Sequence, residues 1–129
     1  MRLLLDTHTF LWASADDRRL SDSARGLIED PTNTVYLSVV SAWEIAIKFA
    51  RGRIPELTAS PESYVPARVS DYSMEILPML MPHAFRVAHL PHVHRDPFDR
   101  MLIAQAQVEG LPVVTSDTNI ARYDVQVIW

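Results

Sequence analysis

Short runs of apolar and β-branched residues alternate along the chain with longer segments of helical pattern. Arg2–Leu5 predicts a buried strand that ends at Asp6, and Thr34–Val40 predicts a second strand. Strands that are apolar throughout are typical of parallel sheets that helices cover on both faces. Since parallel strands need a crossover connection, usually a helix, the alternation predicts an α/β sandwich with a mostly parallel central sheet.

The remaining elements follow from capping residues and prolines. Predicted helices are Thr7–Ala15, a segment that Ser21 caps and that stops before Pro31, Ser41–Arg51 followed by Gly52, and Asp96–Glu109 closed by Gly110 and Pro112. Further strands are predicted at Met74–Leu77, Pro112–Thr115 and Val125–Trp129. The proline-rich stretch 54–91 predicts short helices and turns, with a helix start at Ser60 and Pro61. Residues 1–129 are expected to form a single domain.

Composition excludes several classes of protein. A hydrophobic fraction of 48% is enough to bury a core, which argues against intrinsic disorder. The chain contains no cysteine, so disulfide scaffolds and thiolate zinc sites are excluded. No stretch approaches the roughly 18 apolar residues that span a bilayer, and the apolar run before Asp6 is too short for a signal peptide. We therefore expect a soluble, cytoplasmic protein with no membrane association.

The charge balance limits how the chain contacts nucleic acid. The chain has 12 Lys and Arg residues against 16 Asp and Glu residues, so its net charge is −4. A protein that coats nucleic acid through bulk positive charge is therefore excluded, and any such role must be local.

Acidic residues follow the predicted strands. Asp6 follows the first strand, Asp117 follows Pro112–Thr115, and Glu44 lies one turn into the helix after the second strand. Ligands of open α/β sheets bind beyond the carboxyl ends of the strands, at the switch in strand order. We therefore expect these acids to face one crevice, although Asp6 and Asp117 also suit turn or cap positions.

Glu44 lies in a helix whose other residues are apolar nearly all round. One interpretation is a surface ion pair with Lys48 at i,i+4. Because Ala42, Trp43 and Ile45 surround the acid, we instead expect the helix to be buried on several sides, where a carboxylate needs a charge partner. Either Lys48 or a metal ion would be that partner.

The string HRDPFDR predicts a helix start that contains two acids. Asp96 suits the N-cap with Pro97 at the first helical position, and Asp99 sits near the positive end of the helix. We expect Asp99 to be a metal ligand, because one cap already satisfies the terminus and a second acid in the crevice adds repulsion unless a cation is present. Asp96 is expected to be the cap or to support the ligands.

Several carboxylates in one crevice without a matching set of bases repel one another, and a divalent cation removes that repulsion. Ligand sets made only of oxygen favour Mg²⁺ or Mn²⁺ over zinc. One such ion lowers the pKa of an attacking water, and a second ion would steady the leaving oxygen. The acids therefore predict metal-assisted hydrolysis of a phosphodiester.

Four strings in this order, LLLDTHTFLW, SAWEIAIK, HRDPFDRMLIAQA and VVTSD, resemble the motifs of PIN-domain ribonucleases, specifically the VapC-like toxins of bacterial toxin–antitoxin pairs. The resemblance covers essentially the whole chain. It implies a three-layer α/β/α sandwich, Mg²⁺ or Mn²⁺ dependence, endonucleolytic cleavage of RNA, a homodimer, and inhibition by a cognate antitoxin protein. Carried over by position, the catalytic and metal-binding acids are Asp6, Glu44, Asp99 and Asp117. The residues after Asp117 depart from the family pattern, which argues against a fifth acidic ligand and leaves Asn119 as a candidate to hold a water.

Basic residues near the acids are candidates for supporting roles. His94 immediately precedes the acidic helix start, where it would contact an RNA phosphate or donate a hydrogen bond to an acid. Arg100 is a candidate for phosphate contact or for an ion pair with Asp96 or Asp99. His8 is a candidate to orient Asp6 or simply to pack. The histidines of the string HLPHVHR fit no common zinc-ligand spacing, so no zinc site is expected.

Two other functions remain open on the residues alone. A metal-dependent phosphatase or phosphotransfer domain also uses acids at strand ends, but it needs an aspartate nucleophile with a basic partner after a late strand. A non-catalytic RNA-binding module would keep the fold without turnover. A complete set of acids argues against that module, because buried like charges are unfavourable without a cation.

Overall fold

The computed structural model describes all 129 residues and contains one sheet of five strands. The strands are β1 (Arg2–Leu5), β2 (Thr34–Ser38), β3 (Glu75–Leu77), β4 (Val113–Val114) and β5 (Val127–Ile128). Their order across the sheet is β3-β2-β1-β4-β5, and every neighbouring pair is parallel. The predicted α/β class with a parallel central sheet is confirmed.

Six α-helices and two short 3₁₀ turns connect the strands. The helices are α1 (Thr7–Ser14), α2 (Asp22–Glu29), α3 (Val39–Ala50), α4 (Pro61–Asp71), α5 (Met81–Arg86) and α6 (Pro97–Glu109). The 3₁₀ turns are Val87–His89 and Ile120–Arg122. None of the helices combines the length and the apolar character that crossing a membrane requires.

Helices cover both faces of the sheet, because successive side chains of a strand point to opposite faces. In β1, Leu3 and Leu5 pack into one core with residues of α1, α2, α3 and α4. Leu4 packs into a second core with residues of α6, against which α5 lies. All three leucines are fully buried. The molecule is therefore a three-layer α/β/α sandwich, as the resemblance implies.

The strand order switches direction at β1. β2 and β3 extend the sheet on one side of β1, and β4 and β5 extend it on the other side. Folds of this kind bind ligands beyond the carboxyl ends of the strands that flank such a switch, here β1 and β4. Asp6 directly follows β1, and Asp117 follows β4 after two intervening residues. The topology thus brings these acids, distant in sequence, to one edge of the sheet.

Capping residues set the helix ends where the sequence predicts them. The Ser21 hydroxyl accepts a hydrogen bond from the N–H of Ala24 (3.0 Å) at the start of α2. Asp96 caps α6 by accepting from the N–H of Asp99 (3.0 Å). Gly110 ends α6 in the left-handed conformation with φ of 67°, which glycine adopts without steric cost.

The second strand is shorter than the sequence predicts. The β-branched run predicts a strand to Val40, but β2 ends at Ser38 and α3 begins at Val39. The Ser38 hydroxyl accepts a hydrogen bond from the N–H of Val40 (3.0 Å), so it caps the helix inside the run. The cap therefore outweighs the strand preference of the two valines. β4 and β5 are likewise shorter than their predicted ranges.

The expectation that α3 is buried on several sides is wrong. Trp43 is 57% exposed and Phe49 is 39% exposed, whereas Glu44 is only 3% exposed. α3 contacts α1, α4 and α6, and these contacts bury the acid and leave both aromatic side chains at the surface. The apolar sequence of this helix does not reveal which side faces the core, because polar partners from other elements hold Glu44 inside.

Candidate active site

Asp6 lies at the junction of β1 and α1 and is almost fully buried. It is the N-cap of α1, and one of its carboxylate oxygens accepts a hydrogen bond from the N–H of Thr9 (2.7 Å). The other oxygen accepts from the hydroxyl of Thr115, just after β4. Burial raises the pKa of Asp6, although the hydrogen bonds from Thr115 and Thr9 act to lower it. This carboxyl group is thus fixed in position and poorly solvated.

Glu44 approaches the same region from α3 and is also buried. One carboxylate oxygen accepts a hydrogen bond from the hydroxyl of Thr7 (2.7 Å), the residue that follows Asp6. The hydroxyl of Ser41 lies 2.9 Å from the same Thr7 oxygen. The other carboxylate oxygen pairs with the ammonium group of Lys48. The i,i+4 pair exists, but its acid lies inside the protein rather than on the surface.

A relay of hydrogen bonds orients Asp99, in the first turn of α6. Its carboxylate lies 3.1 Å from Nε2 of His94, which donates because the carboxylate only accepts. Nδ1 of His94 then accepts from the hydroxyl of Tyr123 (2.8 Å). The Tyr123 oxygen accepts in turn from Nη1 of Arg100 (3.0 Å). Of the alternatives for His94, the structure contains the hydrogen bond to an acid.

The pKa of Asp99 responds to the charges of the other acids. Burial, together with the negative charges of Asp96, Asp117 and Glu44, raises the pKa of Asp99 to about 6. The hydrogen bond from His94 opposes that increase. Acids from α3, from the start of α6 and from the loop after β4 therefore share one region of negative potential.

Asp96 is the cap of α6, one of the two roles that its position predicts. One of its carboxylate oxygens accepts from the N–H groups of Phe98 (2.9 Å) and Asp99 (3.0 Å). Arg100 forms no ion pair with either acid, so that alternative is wrong. Its Nη1 instead donates to the carbonyl oxygen of Pro91 (2.7 Å) as well as to the tyrosine of the relay. The guanidinium charge is held in place but is not neutralised by a carboxylate.

Asp117 is tied to Asp6 through a shared hydroxyl group. The N–H of Asp117 donates to the Thr115 hydroxyl (2.9 Å), and that hydroxyl donates to Asp6. The Asp117 carboxylate accepts from the backbone N–H of Asn119 (2.8 Å), which closes a turn. The loop after β4 is thus anchored to the carboxyl end of β1.

These acids come from four parts of the fold, but they do not form a closed cage for a metal. No three Asp, Glu or His side chains of the chain converge closely enough to hold one ion as they stand. Their chemistry nevertheless fits Mg²⁺ or Mn²⁺, which prefer oxygen ligands. Asp6 and Asp99 have raised pKa values, and a nearby cation would favour their charged forms. Side-chain movements would be needed to bring three of the carboxylates onto a common ion.

The sequence analysis missed the hydroxyl groups that position the acids. Thr7 bonds Glu44 from another helix, and Thr115 bonds Asp6 from another strand. Both threonines lie within two residues of an acid in the strings DTH and TSD, which is the feature that could have identified them. Nothing in the local sequence marks Tyr123, because its hydrogen bond to His94 joins segments far apart in the chain.

Of the two alternatives for His8, the structure contains packing. The imidazole of His8 is exposed and lies against Trp12, with 5.8 Å between the ring centroids. Both oxygens of Asp6 are bonded to threonines instead. Burial raises the pKa of Asp6, and the charge of His8 is the weakest of the influences that oppose this increase.

Comparisons with known proteins agree with this architecture. The PIN domain family model matches residues 3–126. Among curated proteins, the ribonuclease VapC16 of Mycobacterium tuberculosis is 42% identical over 48 residues, which are 37% of this chain and 33% of that protein. The matched segment thus spans about a third of the length of this curated relative.

Solved structures share the fold over nearly the whole chain. The VapBC2 structure from Rickettsia felis, bound to a DNA fragment from the promoter, has a TM-score of 0.72 and 17% identity, and the match covers 99% of this chain and 98% of that chain. VapBC-5 from Mycobacterium tuberculosis, a member of the VapBC family of toxin–antitoxin systems, has a TM-score of 0.61 and 23% identity, covering 98% and 97%. At these identities the likeness shows the fold alone.

Proposed function

The chain belongs to the PIN domain family, and from that premise we propose that it is a metal-dependent endoribonuclease that hydrolyses phosphodiester bonds of RNA. The observation that carries the proposal is the set of acids at the carboxyl edge of the parallel sheet, where burial and the charges of Asp96, Asp117 and Glu44 together raise the pKa of Asp99 to about 6. An acidic crevice of this kind suits a divalent cation, and such ions activate water for phosphodiester hydrolysis. The ribonuclease among its relatives supports RNA as the substrate.

The proposed metal ligands are Asp6, Glu44, Asp99 and Asp117. Mg²⁺ or Mn²⁺ bound by them would supply a water of lowered pKa and a positive charge close to the reacting phosphate. The chain itself fixes the ligands: Thr115 holds Asp6, Thr7 holds Glu44, and the cap at Asp96 sets where Asp99 lies. The ammonium group of Lys48 forms an ion pair with Glu44 and so offsets its negative charge. Asn119 and Arg100 are proposed to contact a metal-bound water and a substrate phosphate, respectively.

We further propose that the protein is the toxin of a toxin–antitoxin pair, acting in the cytoplasm, where its RNA substrate is. Its structural relatives include members of the VapBC family of toxin–antitoxin systems and a toxin–antitoxin complex from Klebsiella pneumoniae. A small cognate antitoxin would then neutralise it, and the active form would be a homodimer. Co-expression with a short protein from the neighbouring reading frame tests the antitoxin: it should abolish RNA cleavage and co-purify with this chain.

RNA cleavage with Mg²⁺ or Mn²⁺ tests the activity directly. We expect the wild type to cleave RNA, and Asp6→Asn and Asp99→Asn to reduce the rate by about 100-fold or more. Asp124→Asn is the matched control, because Asp124 is an exposed aspartate outside the crevice. Equal cleavage by the wild type and both crevice variants would refute the mechanism.

Assays on the same wild-type and variant proteins distinguish the proposed nuclease from the two alternative functions. A phosphatase would release phosphate from small phosphomonoesters, whereas a nuclease of this class would leave them intact. A non-catalytic module would bind RNA and leave it uncut at every metal concentration. The absence of a closed ligand cage is the observation that favours this last alternative, so the cleavage assay decides between them.

A further inference from the structure

A cleft of about 390 Å³ opens between α3 and the start of α6, the two helices that carry Glu44 and Asp99. Its exposed lining is almost wholly apolar and includes Trp43, Met79 and Met101, and Arg95 and Arg100 line it mainly through the aliphatic parts of their side chains. The groove between α3 and α4 is equally apolar, but its lining contains no arginine. The two arginines are what distinguish the cleft.

The aromatic residues of this region lie next to proposed metal ligands in the sequence. Trp43 directly precedes Glu44, and Phe98 directly precedes Asp99. The two rings meet edge to face, with 5.0 Å between their centroids, and this contact joins α3 to α6. Trp43 is nevertheless 57% exposed, so most of its indole is free to contact another molecule. Because Glu44 is turned inside and Trp43 outside, the helix presents an acid to the crevice and an aromatic ring to the cleft.

Arg95 and Arg100 add positive charge that no carboxylate of the chain neutralises. Arg95 is exposed and forms no ion pair, although Asp96 is its neighbour in the sequence. Arg100 is held by Pro91 and by the tyrosine of the relay through Nη1 alone. In a chain of net charge −4, two unpaired guanidinium groups beside an acidic crevice suit a partner that carries phosphates.

We propose that this cleft receives one unpaired base of the RNA, adjacent to the phosphodiester that is cleaved. The base stacks on the exposed indole of Trp43, and Arg95 and Arg100 contact the phosphates on either side of it. Proteins that bind single-stranded RNA combine aromatic side chains with a basic groove in this way. The proposal rests on the ribonuclease function proposed above, and it makes Trp43 a substrate-binding residue of that reaction.

The two guanidinium groups favour RNA over a second copy of the chain as the occupant. An interface between copies would bury Arg95 and Arg100 against each other's surfaces, where unpaired charges are unfavourable. RNA brings its own phosphates and leaves those groups partly in water. The cleft is formed by the helices that carry Glu44 and Asp99, so the RNA backbone would connect a base within it to the reacting phosphate.

The test combines a protein change with an RNA change. Single-stranded RNA that the wild type cleaves is prepared intact and with an abasic nucleotide next to the cleaved bond. On intact RNA we expect Trp43→Leu to lower kcat/KM by about tenfold or more, and Trp43→Phe to retain most of the activity, because stacking needs an aromatic ring. On abasic RNA, Trp43→Leu and the wild type should cleave equally. Phe49→Leu, an exposed aromatic of α3 outside the cleft, should behave as the wild type on both.

The arginines and the oligomeric state complete the test. Arg95→Gln should weaken RNA binding and reduce the slope of log affinity against log salt by about 0.7, the value for one phosphate contact on a single strand.

If Trp43→Leu lowers cleavage of intact and abasic RNA equally, or converts a dimer into a monomer by light scattering, the cleft does not bind a base. The proposal is then wrong, while the proposed nuclease function stands. If the wild type cleaves no RNA with either metal, the proposed function fails and the cleft proposal fails with it.

Discussion

Asp99 is the residue at which burial and like-charge repulsion act together. Both raise its pKa, to about 6 from a usual value of 3.8. The folded state therefore holds a proton on this carboxyl more tightly than the unfolded chain does. The contribution of Asp99 to stability therefore falls as pH rises from about 4 to about 6, and its loss is complete above that range.

Replacing Asp99 by asparagine should therefore stabilise the metal-free protein. At pH 7.5 we expect Asp99→Asn to raise the free energy of unfolding by about 1–2 kcal/mol, less than the full pKa shift implies because the group is partly exposed. At pH 4 the gain should vanish, since the wild-type carboxyl is then protonated. Urea titrations in EDTA at both pH values measure the effect, and Asp124→Asn should show no gain at either. A destabilised Asp99→Asn at pH 7.5 would contradict the account.

The hydroxyl of Thr115 joins Asp6 to the loop that holds Asp117, and it is fully buried. Thr115→Val keeps the shape of the side chain and removes both hydrogen bonds. We expect a loss of about 1–3 kcal/mol in stability, because the buried carboxylate and N–H lose a partner. Binding of Mn²⁺, measured by calorimetry, should weaken as well. Thr58→Val, at an exposed threonine, is the control for the chemical change.

Two glycines at different places in the helices test the role of backbone conformation, because the same change to alanine is made at both. Gly110 ends α6 with φ of 67°, whereas Gly26 lies inside α2 with open space around its Cα. Gly110→Ala should cost about 1 kcal/mol, and Gly26→Ala should add about 0.5–1 kcal/mol of stability. Chemical denaturation measures both. Effects of the same sign would contradict the assignment of Gly110 as the left-handed cap.

Local sequence patterns predicted the elements well where caps and apolar runs agree. α6 is an example, because Asp96, Pro97 and Gly110 mark both ends. The prediction of the second strand failed at Ser38, where a side-chain cap competes with a β-branched run. The burial of α3 was mispredicted because its polar residues Ser41 and Glu44 face the interior, where Thr7 bonds the acid, whereas a surface helix usually turns such residues to solvent.

Part of the candidate site was predictable from the order of strands and helices along the chain. Asp6 and Asp117 follow predicted strands, so topology alone brings them to one edge. The partners of the acids, such as Thr7 for Glu44, depend on contacts between elements distant in sequence. A single sequence does not contain that information, because each contact requires the tertiary packing to be known first.

At the scale of the whole molecule, the excess of acids controls RNA binding. The chain carries a net charge of −4, and part of that charge lies in the crevice that would receive a phosphate. In EDTA we expect single-stranded RNA to bind weakly. The double variant Asp6→Asn and Asp99→Asn should bind more tightly than the wild type under the same conditions, because two repelling charges are removed. Fluorescence anisotropy at moderate salt measures this, and tight binding by the metal-free wild type would contradict it.

The proposed function requires the acids at the sheet edge to bind a divalent ion. A crystal of the protein grown with Mn²⁺, with anomalous diffraction data, measures this most directly. We predict an anomalous peak within coordination distance of Asp6 and of at least one of Glu44, Asp99 and Asp117, and no such peak in crystals of Asp6→Asn. Electron density that shows these carboxylates in their metal-free positions at saturating Mn²⁺, with no peak between them, would contradict the account.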